Sequence, residues 1–272
     1  MLPASSPAPA AVLAAFQAAT ARAASVRLEL RWYPTVTSTM DVAEEAAQAG
    51  APEGLVIVAE EQTQGRGRRG RVWSSPPGAG LYLTFVLRPP LEGGAGPMLS
   101  LITLAVGVAA REAIGRASGL LPELKWPNDL MVGKRKLAGI LSEGIGLGRV
   151  DQTVLVGCGL NILSVAHPDE IAGLATSLES ELGRSVDRAH VLEELLVAIP
   201  QTCDDLRRGN ADDILRAWRH AAPSAEGAFV RWPTPEGPRQ GTTAGIDQTG
   251  ALLVKTGGGT ERIVGGELEW IW

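Results

Sequence analysis

Cysteine and histidine are scarce in this chain. Two cysteines and three histidines occur among 272 residues. Cys158 lies inside an apolar run and Cys203 inside a helical pattern, so the two form neither a disulfide framework nor a zinc-binding spacing. The histidines are far apart in sequence, and no motif supports a Ser-His-Asp arrangement. This cysteine usage predicts a protein of the reducing cytoplasm.

Long apolar runs and a basic N-terminus are also missing. No run reaches the roughly 18–20 apolar residues that a membrane span needs. No lysine or arginine precedes Arg22, which argues against a secretory signal. We expect residues 1–9 to be disordered and Val12, Leu13 and Phe16 to mark one face of a short helix. The sequence therefore predicts a protein without membrane association.

Arginine, in contrast, is concentrated in one segment. Residues 65–73 read Gly-Arg-Gly-Arg-Arg-Gly-Arg-Val-Trp in a protein of net charge −5. Glycines allow the backbone to approach a ligand closely, and guanidinium groups bind carboxylates and phosphates bidentately. A solvated basic turn is the alternative. The cluster favours a site for a small anion, on a loop that is open and self-repelling until the anion binds.

The same segment fits the G-x-G-x-x-G pattern of dinucleotide-binding loops. That motif must open a helix, because the helix N-terminus receives the pyrophosphate. The residues that follow, 74–78, read Ser-Ser-Pro-Pro-Gly and cannot form a helix. We therefore reject a dinucleotide-binding fold of this kind.

Hydrophobic periodicity predicts strands and helices that alternate along most of the chain. Strands are expected at 26–34, 55–60, 81–87, 123–132, 135–143 and 153–159, and helices at 41–49, 97–117, 187–208 and 211–220. From residue 227 onward, short alternating strands separated by Gly, Pro and Asp predict a small β-barrel. The predicted organisation is a leader at 1–29, a catalytic domain at 30–222 and a C-terminal β domain at 223–272.

Three further motifs carry chemistry, each with a plainer alternative. In Lys125-Trp-Pro-Asn-Asp129 the lysine suits a phosphate and the carboxylate suits Mg²⁺, although an Asn-Asp turn is also possible. Lys136 precedes the apolar residues 137–141 and can stay charged at the edge of the core if an anion pairs with it; the alternative is a solvated hairpin end. Asn161 ends an apolar strand, where it can bind a nucleotide or cap a turn.

Taken together, these motifs resemble those of biotin–protein ligases. The order and spacing of Ser38-Thr39, Glu61-Gln62, 65–73, 125–130, 136–141 and 157–161 match the family, as do the C-terminal segments 245–253 and 265–267. The resemblance covers about residues 30–272. It implies an α+β fold, with a mixed sheet like that of class II aminoacyl-tRNA synthetases, followed by an SH3-like β-barrel.

The resemblance also implies an activity and a set of site residues. ATP, with Mg²⁺, would activate biotin as biotinyl-5′-AMP, and a lysine of a biotin carboxyl carrier protein would then accept the biotin. The implied catalytic residues are Arg66 and Lys136, and Trp73 is expected to pack beneath the loop. Biotin would be bound by Ser38, Thr39, Gln62, Gly65, Arg66, Gly67, Arg68, Lys136 and Gly139. The nucleotide would be bound by Arg68, Arg69, Arg71, Lys125, Asn128 and Asn161, and the metal by Asp129.

The sequence departs from the family in three places. Met40 stands where many members carry Asn, and residues 174–178 lack a tryptophan that some members place over adenine. Residues 1–29 are too short for a winged helix-turn-helix, which needs about twice that length, so we expect no specific DNA binding.

Two rival functions share features with this sequence. A lipoate or octanoate ligase or transferase shares the fold but lacks the arginine run. A nucleic-acid-binding module predicts a pI above about 9, whereas this chain has a pI near 5.4. The protein is expected to be a monomer or a homodimer.

Overall fold

The computed structural model describes residues 4–23, 27–89, 95–149, 151–164 and 171–271. Its larger sheet has seven strands in the order β1-β2-β3-β7-β6-β5-β4. Strands β1 and β2 are parallel and the other neighbours are antiparallel, so the sheet is mixed, as predicted. The strands are β1 (Glu29–Val36), β2 (Leu55–Gln62), β3 (Gly80–Leu87), β4 (Glu123–Lys125), β5 (Asp129–Val132), β6 (Arg135–Ile145) and β7 (Thr153–Asn161).

Helices cover both faces of this sheet, and because all strand pairs but β1–β2 are antiparallel the fold is α+β. The helices are α1 (Ala10–Arg22), α2 (Thr39–Gln48), α3 (Ala95–Ser118), α4 (Leu178–Leu182), α5 (Arg188–Arg207) and α6 (Ala211–Ala221). Helix α2 packs on one face, where Leu55 and Ile57 of β2 point. Helices α1, α3 and α5 contribute to the core on the other face, with Val56 and Val58. Because both faces are covered there, residues 55–59 of β2 are all apolar and buried rather than alternating, and the strand turns polar only at its end, at residues 60–62.

Two local predictions differ from the structure. The predicted strand 123–132 is two strands, β4 and β5, separated by a turn that contains the cis peptide bond Trp126–Pro127. The predicted face of α1 is only partly right. Ala15 and Ala19 are buried, Val12 and Phe16 pack partly against the core, and Leu13 is 45% exposed.

The N-terminal segment packs on the rest of the protein. The backbone N–H of Ser6 donates to the carbonyl of Trp32 at 3.0 Å, which adds a short bridge to the edge strand β1. At the end of α1, Arg22 donates to Glu194 of α5 at 2.6 Å. Residues 4–9 are therefore not the disordered segment that we expected, and residues 1–3 lie outside the described part of the chain.

The C-terminal residues form a five-stranded antiparallel sheet of SH3-like type, in the order β11-β10-β9-β8-β12. Its strands are β8 (Glu226–Thr234), β9 (Gly237–Ile246), β10 (Leu252–Thr256), β11 (Gly259–Ile263) and β12 (Glu269–Ile271). Trp126 of the larger domain is buried against it and donates its indole N–H to the Gly250 carbonyl at 3.0 Å. The domain boundary at about 222–226 stays a prediction. In the parts of the chain that the structure describes, no helix is both long and apolar enough to cross a membrane.

Candidate active site

A small cavity lies where β2 ends and α2 begins. Ser38 is the N-cap of α2, and its Oγ accepts from the Met40 backbone N–H at 3.2 Å. The next residue, Thr39, donates its backbone N–H to Gln62 Oε1 at 2.8 Å. The three polar residues predicted at this point, Ser38, Thr39 and Gln62, are therefore brought together, and all three line the cavity with Met40.

Two further polar residues complete this network, and no sequence motif indicates either of them. Gln62 Nε2 donates to Ser75 Oγ at 2.7 Å, and Thr84 donates its hydroxyl to Thr39 Oγ1 at 2.8 Å. Ser75 follows the arginine segment and Thr84 lies in the middle of β3. These two hydrogen bonds hold the amide of Gln62 and the hydroxyl of Thr39 in one orientation.

Gly65 opens the arginine loop at a point where a side chain does not fit. A Cβ atom built on it would lie 2.8 Å from Ser75 Oγ and 2.9 Å from Gln62 Nε2. Its carbonyl accepts from the Trp73 backbone N–H at 2.8 Å, which closes the base of the loop. This glycine lets the loop pack directly on the polar network, but it does not line the small cavity, so its predicted contact with biotin stays a prediction.

The arginine loop is a hairpin in this structure. Gly67 N–H donates to the Arg71 carbonyl at 2.8 Å, and a 3₁₀ turn spans Arg68–Gly70. Arg69 adopts the left-handed conformation, with φ of 58°. The open, self-repelling loop expected from the sequence is therefore not the conformation described. Acidic side chains of neighbouring elements provide the opposing charge that the sequence predicts from a ligand.

Arg66 is the clearest example of a loop arginine that is paired with acidic side chains. Its Nη1 lies 3.0 Å from Asp41 Oδ1 and 3.6 Å from Glu44 Oε2, both on α2. Its Nη2 lies 2.6 Å from Glu143 Oε2 on β6. Burial lowers the pKa of Arg66, but the charges and hydrogen bonds of Glu143 and Asp41 outweigh burial and raise this pKa above its ordinary value. Arg66 also lines the small cavity.

A second, larger cavity of about 340 Å³ adjoins the first. It combines cationic side chains with apolar ones, a mixture that suits a nucleotide. Its cationic residues are Arg68, Arg69, Arg71, Lys125 and Lys136. Its apolar residues include Val72, Trp126, Ile171, Leu174, Leu268 and Trp270.

Lys136 belongs to the larger cavity, beside the boundary with the small one. Its Nζ lies 2.5 Å from Asp129 Oδ1 and 5.3 Å from the centre of the Trp73 ring. We had expected the charge of Lys136 to await an anionic ligand, but Asp129 already supplies a negative charge. A Cβ atom on Gly139 would lie 3.2 Å from Lys136 Nζ, so this glycine leaves room for the ammonium group.

Trp73 separates the two cavities and lines both. Gly139 of β6 and Gly159 of β7 are register partners beneath its ring. A Cβ atom on Gly139 would lie 3.3 Å from Trp73 Cζ3, and one on Gly159 would lie 2.6 Å from Trp73 Nε1. The ring therefore packs beneath the loop, as expected. Gly67, Arg68 and Trp73 line both cavities and mark the point where two bound molecules would meet.

Two cations of the larger cavity are held in an unfavourable environment. Burial and the charges of Arg69 and Arg71 lower the pKa of Arg68, against the opposing charge of Asp129. Burial also lowers the pKa of Lys125, as does the charge of Lys136. A site that destabilises its own cations is stabilised by a bound anion. The electrostatics of this cavity therefore favour a polyanionic ligand.

The remaining predicted nucleotide residues, Asn128 and Asn161, both line this cavity and are both tied to the backbone. Asn128 Nδ2 donates to the Ile140 carbonyl at 2.8 Å, and Asn161 Nδ2 donates to the Thr176 carbonyl at 2.9 Å. The second bond helps to hold residues 171–176 against the start of β6, where Lys136 N–H donates to the Leu174 carbonyl at 2.7 Å. The family resemblance had pointed to residues 174–178 as a segment near adenine, and Leu174 and Ala175 do line the larger cavity.

The metal prediction has one carboxylate to support it. Asp129 lines the cavity but is paired with Lys136. Within the described ranges, no group of three or more His, Cys, Asp or Glu residues is placed to hold a metal ion. Mg²⁺ needs few protein ligands when it arrives on a nucleotide, because phosphate oxygens and water fill most positions. Asp129 therefore fits a metal delivered with the nucleotide.

The C-terminal domain contributes the last wall of the larger cavity, through residues 266–268 and Trp270. Glu267 forms an ion pair with Arg71 of the loop. Lys125 Nζ lies 5.3 Å from the centre of the Trp270 ring. The sequence contained the Gly265-Gly-Glu267 motif, but nothing in it indicated that this turn reaches the site.

Comparisons with known proteins agree with this arrangement. Residues 32–161 match the model of the biotin/lipoate A/B protein ligase family, and residues 230–269 match the biotin protein ligase C-terminal domain. The fold and its two adjoining cavities thus define a ligase of the biotin and lipoate class.

Individual relatives narrow the class. The bifunctional ligase/repressor BirA of Bacillus subtilis is 34% identical over 242 residues, which cover 88% of this chain and 73% of that protein. The biotin–[acetyl-CoA-carboxylase] ligase of Paracoccus denitrificans is 36% identical over 220 residues, covering 78% of this chain and 88% of that one. The structure of the Aquifex aeolicus biotin protein ligase with biotin and ATP superposes with a TM-score of 0.75 at 30% identity, covering 89% of this chain and 98% of that one. The chain belongs to the biotin–protein ligase family.

Proposed function

We propose that this protein is an ATP-dependent biotin–protein ligase that activates biotin as biotinyl-5′-AMP and transfers it to a lysine of a biotin carboxyl carrier protein. The observation that carries this function is the contact between the two cavities. A small cavity with a polar inner end opens beside Trp73 into a larger cationic one. Such a pair suits a ring-bearing acid whose carboxylate must meet a nucleotide triphosphate.

In the first step, a biotin carboxylate oxygen forms a bond to the α-phosphorus of ATP, and the bond from that phosphorus to the bridging oxygen breaks, releasing pyrophosphate. Two anions must approach each other for this to happen. Arg66, Arg68 and Lys136 are proposed to offset their repulsion and to stabilise charge that develops at phosphorus. Much of the remaining rate enhancement would come from positioning, because the enzyme forms no covalent intermediate.

In the second step, the uncharged ε-amine of the carrier lysine attacks the carbonyl carbon of the mixed anhydride. An amide bond forms, the bond from carbon to the phosphate oxygen breaks, and AMP leaves with its electron pair while the amine loses a proton. The hairpin of residues 65–73 lies over the junction of the two cavities. We propose that it shields the adenylate from water between the two steps.

The proposed site residues follow the cavities that they line. Ser38, Thr39 and Gln62 would bind the ureido ring, and Gly67 and Gly139 line the same small cavity. Gly65 does not line it, and would act by letting the loop pack on Ser75 and Gln62. On the nucleotide side, Arg69, Arg71, Lys125, Asn128 and Asn161 would contact ATP, and Asp129 would meet Mg²⁺ carried by the phosphates. The magnesium ion would add positive charge at the phosphates when bound.

The acceptor protein and the cellular location of the enzyme are also proposals. We propose a biotin carboxyl carrier protein, of acetyl-CoA carboxylase or a related carboxylase, as the acceptor, and no specific binding to DNA. The enzyme would act as a monomer or a homodimer. Cys158 and Cys203 are free and buried, and burial raises the pKa of both thiols to about 12, which suits unreactive cysteines in a reducing cytoplasm.

Pyrophosphate release tests the first step directly. The purified protein is incubated with ATP and Mg²⁺ together with biotin, lipoate or octanoate in separate reactions. We expect pyrophosphate release in the reaction that contains biotin and none in the reactions that contain lipoate or octanoate. Release that depends on lipoate or octanoate would instead place the protein with the other ligases of this fold.

A further inference from the structure

We propose that Trp270 of the C-terminal domain is a positioning residue for nucleotide binding, because it holds Lys125 at the wall of the larger cavity. This inference rests on the proposed function. It assigns the C-terminal domain a part in the first step, in addition to any contact with the carrier protein.

The geometry of Lys125 is the first support. It ends β4, at the edge of the large sheet, and its Nζ lies 5.3 Å from the centre of the Trp270 ring. A cation at this distance from the face of an indole is stabilised by the charge distribution of the ring. Burial lowers the pKa of Lys125, so this stabilisation opposes a cost that the cavity imposes. Both residues line the cavity.

The attachment of the C-terminal domain is the second support. Trp126 follows Lys125 directly, and its indole N–H donates to the Gly250 carbonyl of that domain at 3.0 Å. On the loop side, Glu267 pairs with Arg71. Residues from β4 and from the arginine loop are thus fixed to the same domain from two directions. A shift of this domain would move two cations of the cavity together.

Trp270 itself is well suited to this task. It lies in β12, opposite Val230 of β8, and packs partly against the core. Its backbone is therefore set by a strand, and its ring gives Lys125 a rigid surface. A leucine at this position would keep apolar packing but lose the aromatic face. A phenylalanine would keep a face of smaller area.

The test compares Trp270→Leu with Trp270→Phe in the full-length enzyme, using biotin-dependent pyrophosphate exchange. We expect Trp270→Leu to raise the KM for ATP by roughly three- to thirtyfold, the range expected for losing a partly buried cation–π contact. The dissociation constant for biotin should stay within about twofold of the wild-type value, because Trp270 lines the nucleotide cavity. Trp270→Phe should recover much of the loss. Phe229→Leu, in the neighbouring strand β8 and 40% exposed, is the matched control.

A double-mutant cycle separates positioning from a general loss of packing. If Trp270 acts through Lys125, adding Trp270→Leu to Lys125→Met should raise the KM for ATP no further than Lys125→Met alone. Fully multiplicative effects would overturn the inference, and so would an unchanged KM in Trp270→Leu or an equal loss of biotin affinity. These outcomes differ from failure of the proposed function, in which the wild-type enzyme itself would show no biotin-dependent exchange.

Discussion

Replacing Gly159 by alanine tests the boundary between the two cavities. The new Cβ atom would lie 2.6 Å from Trp73 Nε1 and 2.7 Å from Cε2, whereas ordinary contacts begin at 3.4 Å. The ring would have to move by about 0.8 Å, the difference between these distances. Trp73 cannot turn away freely, since Gly139 lies beneath another part of the ring and Lys136 lies near it.

Two consequences are expected from that displacement. Overpacking of this kind costs about 1–3 kcal/mol, so the melting temperature should fall by several degrees. A shift of about 1 Å at the meeting point of two reactants can slow a reaction by roughly 100-fold. We therefore expect biotin-dependent pyrophosphate exchange to fall by about two orders of magnitude in Gly159→Ala, far more than the loss of stability alone would cause.

The same chain supplies graded controls for this variant. A Cβ atom on Gly157, two residues earlier in β7, would lie 2.9 Å from Met40 Sδ, the end of a flexible side chain, and should have a smaller effect. One on Gly257 would meet no atom within 4 Å and should have none. Wild-type exchange and wild-type stability in Gly159→Ala would refute the placement of Trp73 between the cavities.

Four further predictions concern charge. Arg66→Lys keeps the charge but loses the bidentate geometry, so single-turnover adenylation should slow and more adenylate should escape to water; unchanged rates would contradict its role. Lys136→Met should lower adenylation by orders of magnitude. It should also destabilise the free protein by roughly 1–3 kcal/mol in thermal unfolding, because Asp129 loses its partner at 2.5 Å; a stability equal to wild type would show that the pair contributes nothing. Since the pKa of Lys125 is lowered from 10.5, the KM for ATP should begin to rise with pH below that value as the lysine loses its proton, and Lys125→Met should lose this dependence. With a net charge of −5, the protein should give no sequence-specific gel shift at physiological salt; a nanomolar, sequence-dependent complex would contradict this.

Much of the fold followed from periodicity because the apolar segments are long and their patterns are clear. The buried strands β2, β3 and β7 and the helices α3 and α5 were predicted within a few residues. In the N-terminal segment the short helix was predicted, but its buried face and its contacts with the rest of the protein were not. Its helix buries alanines rather than large side chains, and its contacts with β1 and α5 depend on residues far away in sequence.

The site residues, like the elements of the fold, were predicted only where a local sequence pattern contributes them. Residues contributed by local motifs, such as Ser38 and Gln62, were predicted and do converge. Partners supplied by other elements were missed, including the acidic side chains around Arg66 and the C-terminal wall of the larger cavity. A motif indicates which chemical groups are present. It does not indicate which charges the fold brings against them, and for that reason the expected open arginine loop differs from the ion-paired hairpin.

Mass spectrometry of a purified carrier domain tests the central claim most directly. The domain is incubated with the enzyme, ATP, Mg²⁺ and an equimolar mixture of biotin, lipoate and octanoate, and the modified lysine is located by fragmentation. We predict a biotinyl group on a single lysine, and no modification when ATP is omitted. A lipoyl or octanoyl group on that lysine, or an unmodified carrier in the complete reaction, would contradict the assignment.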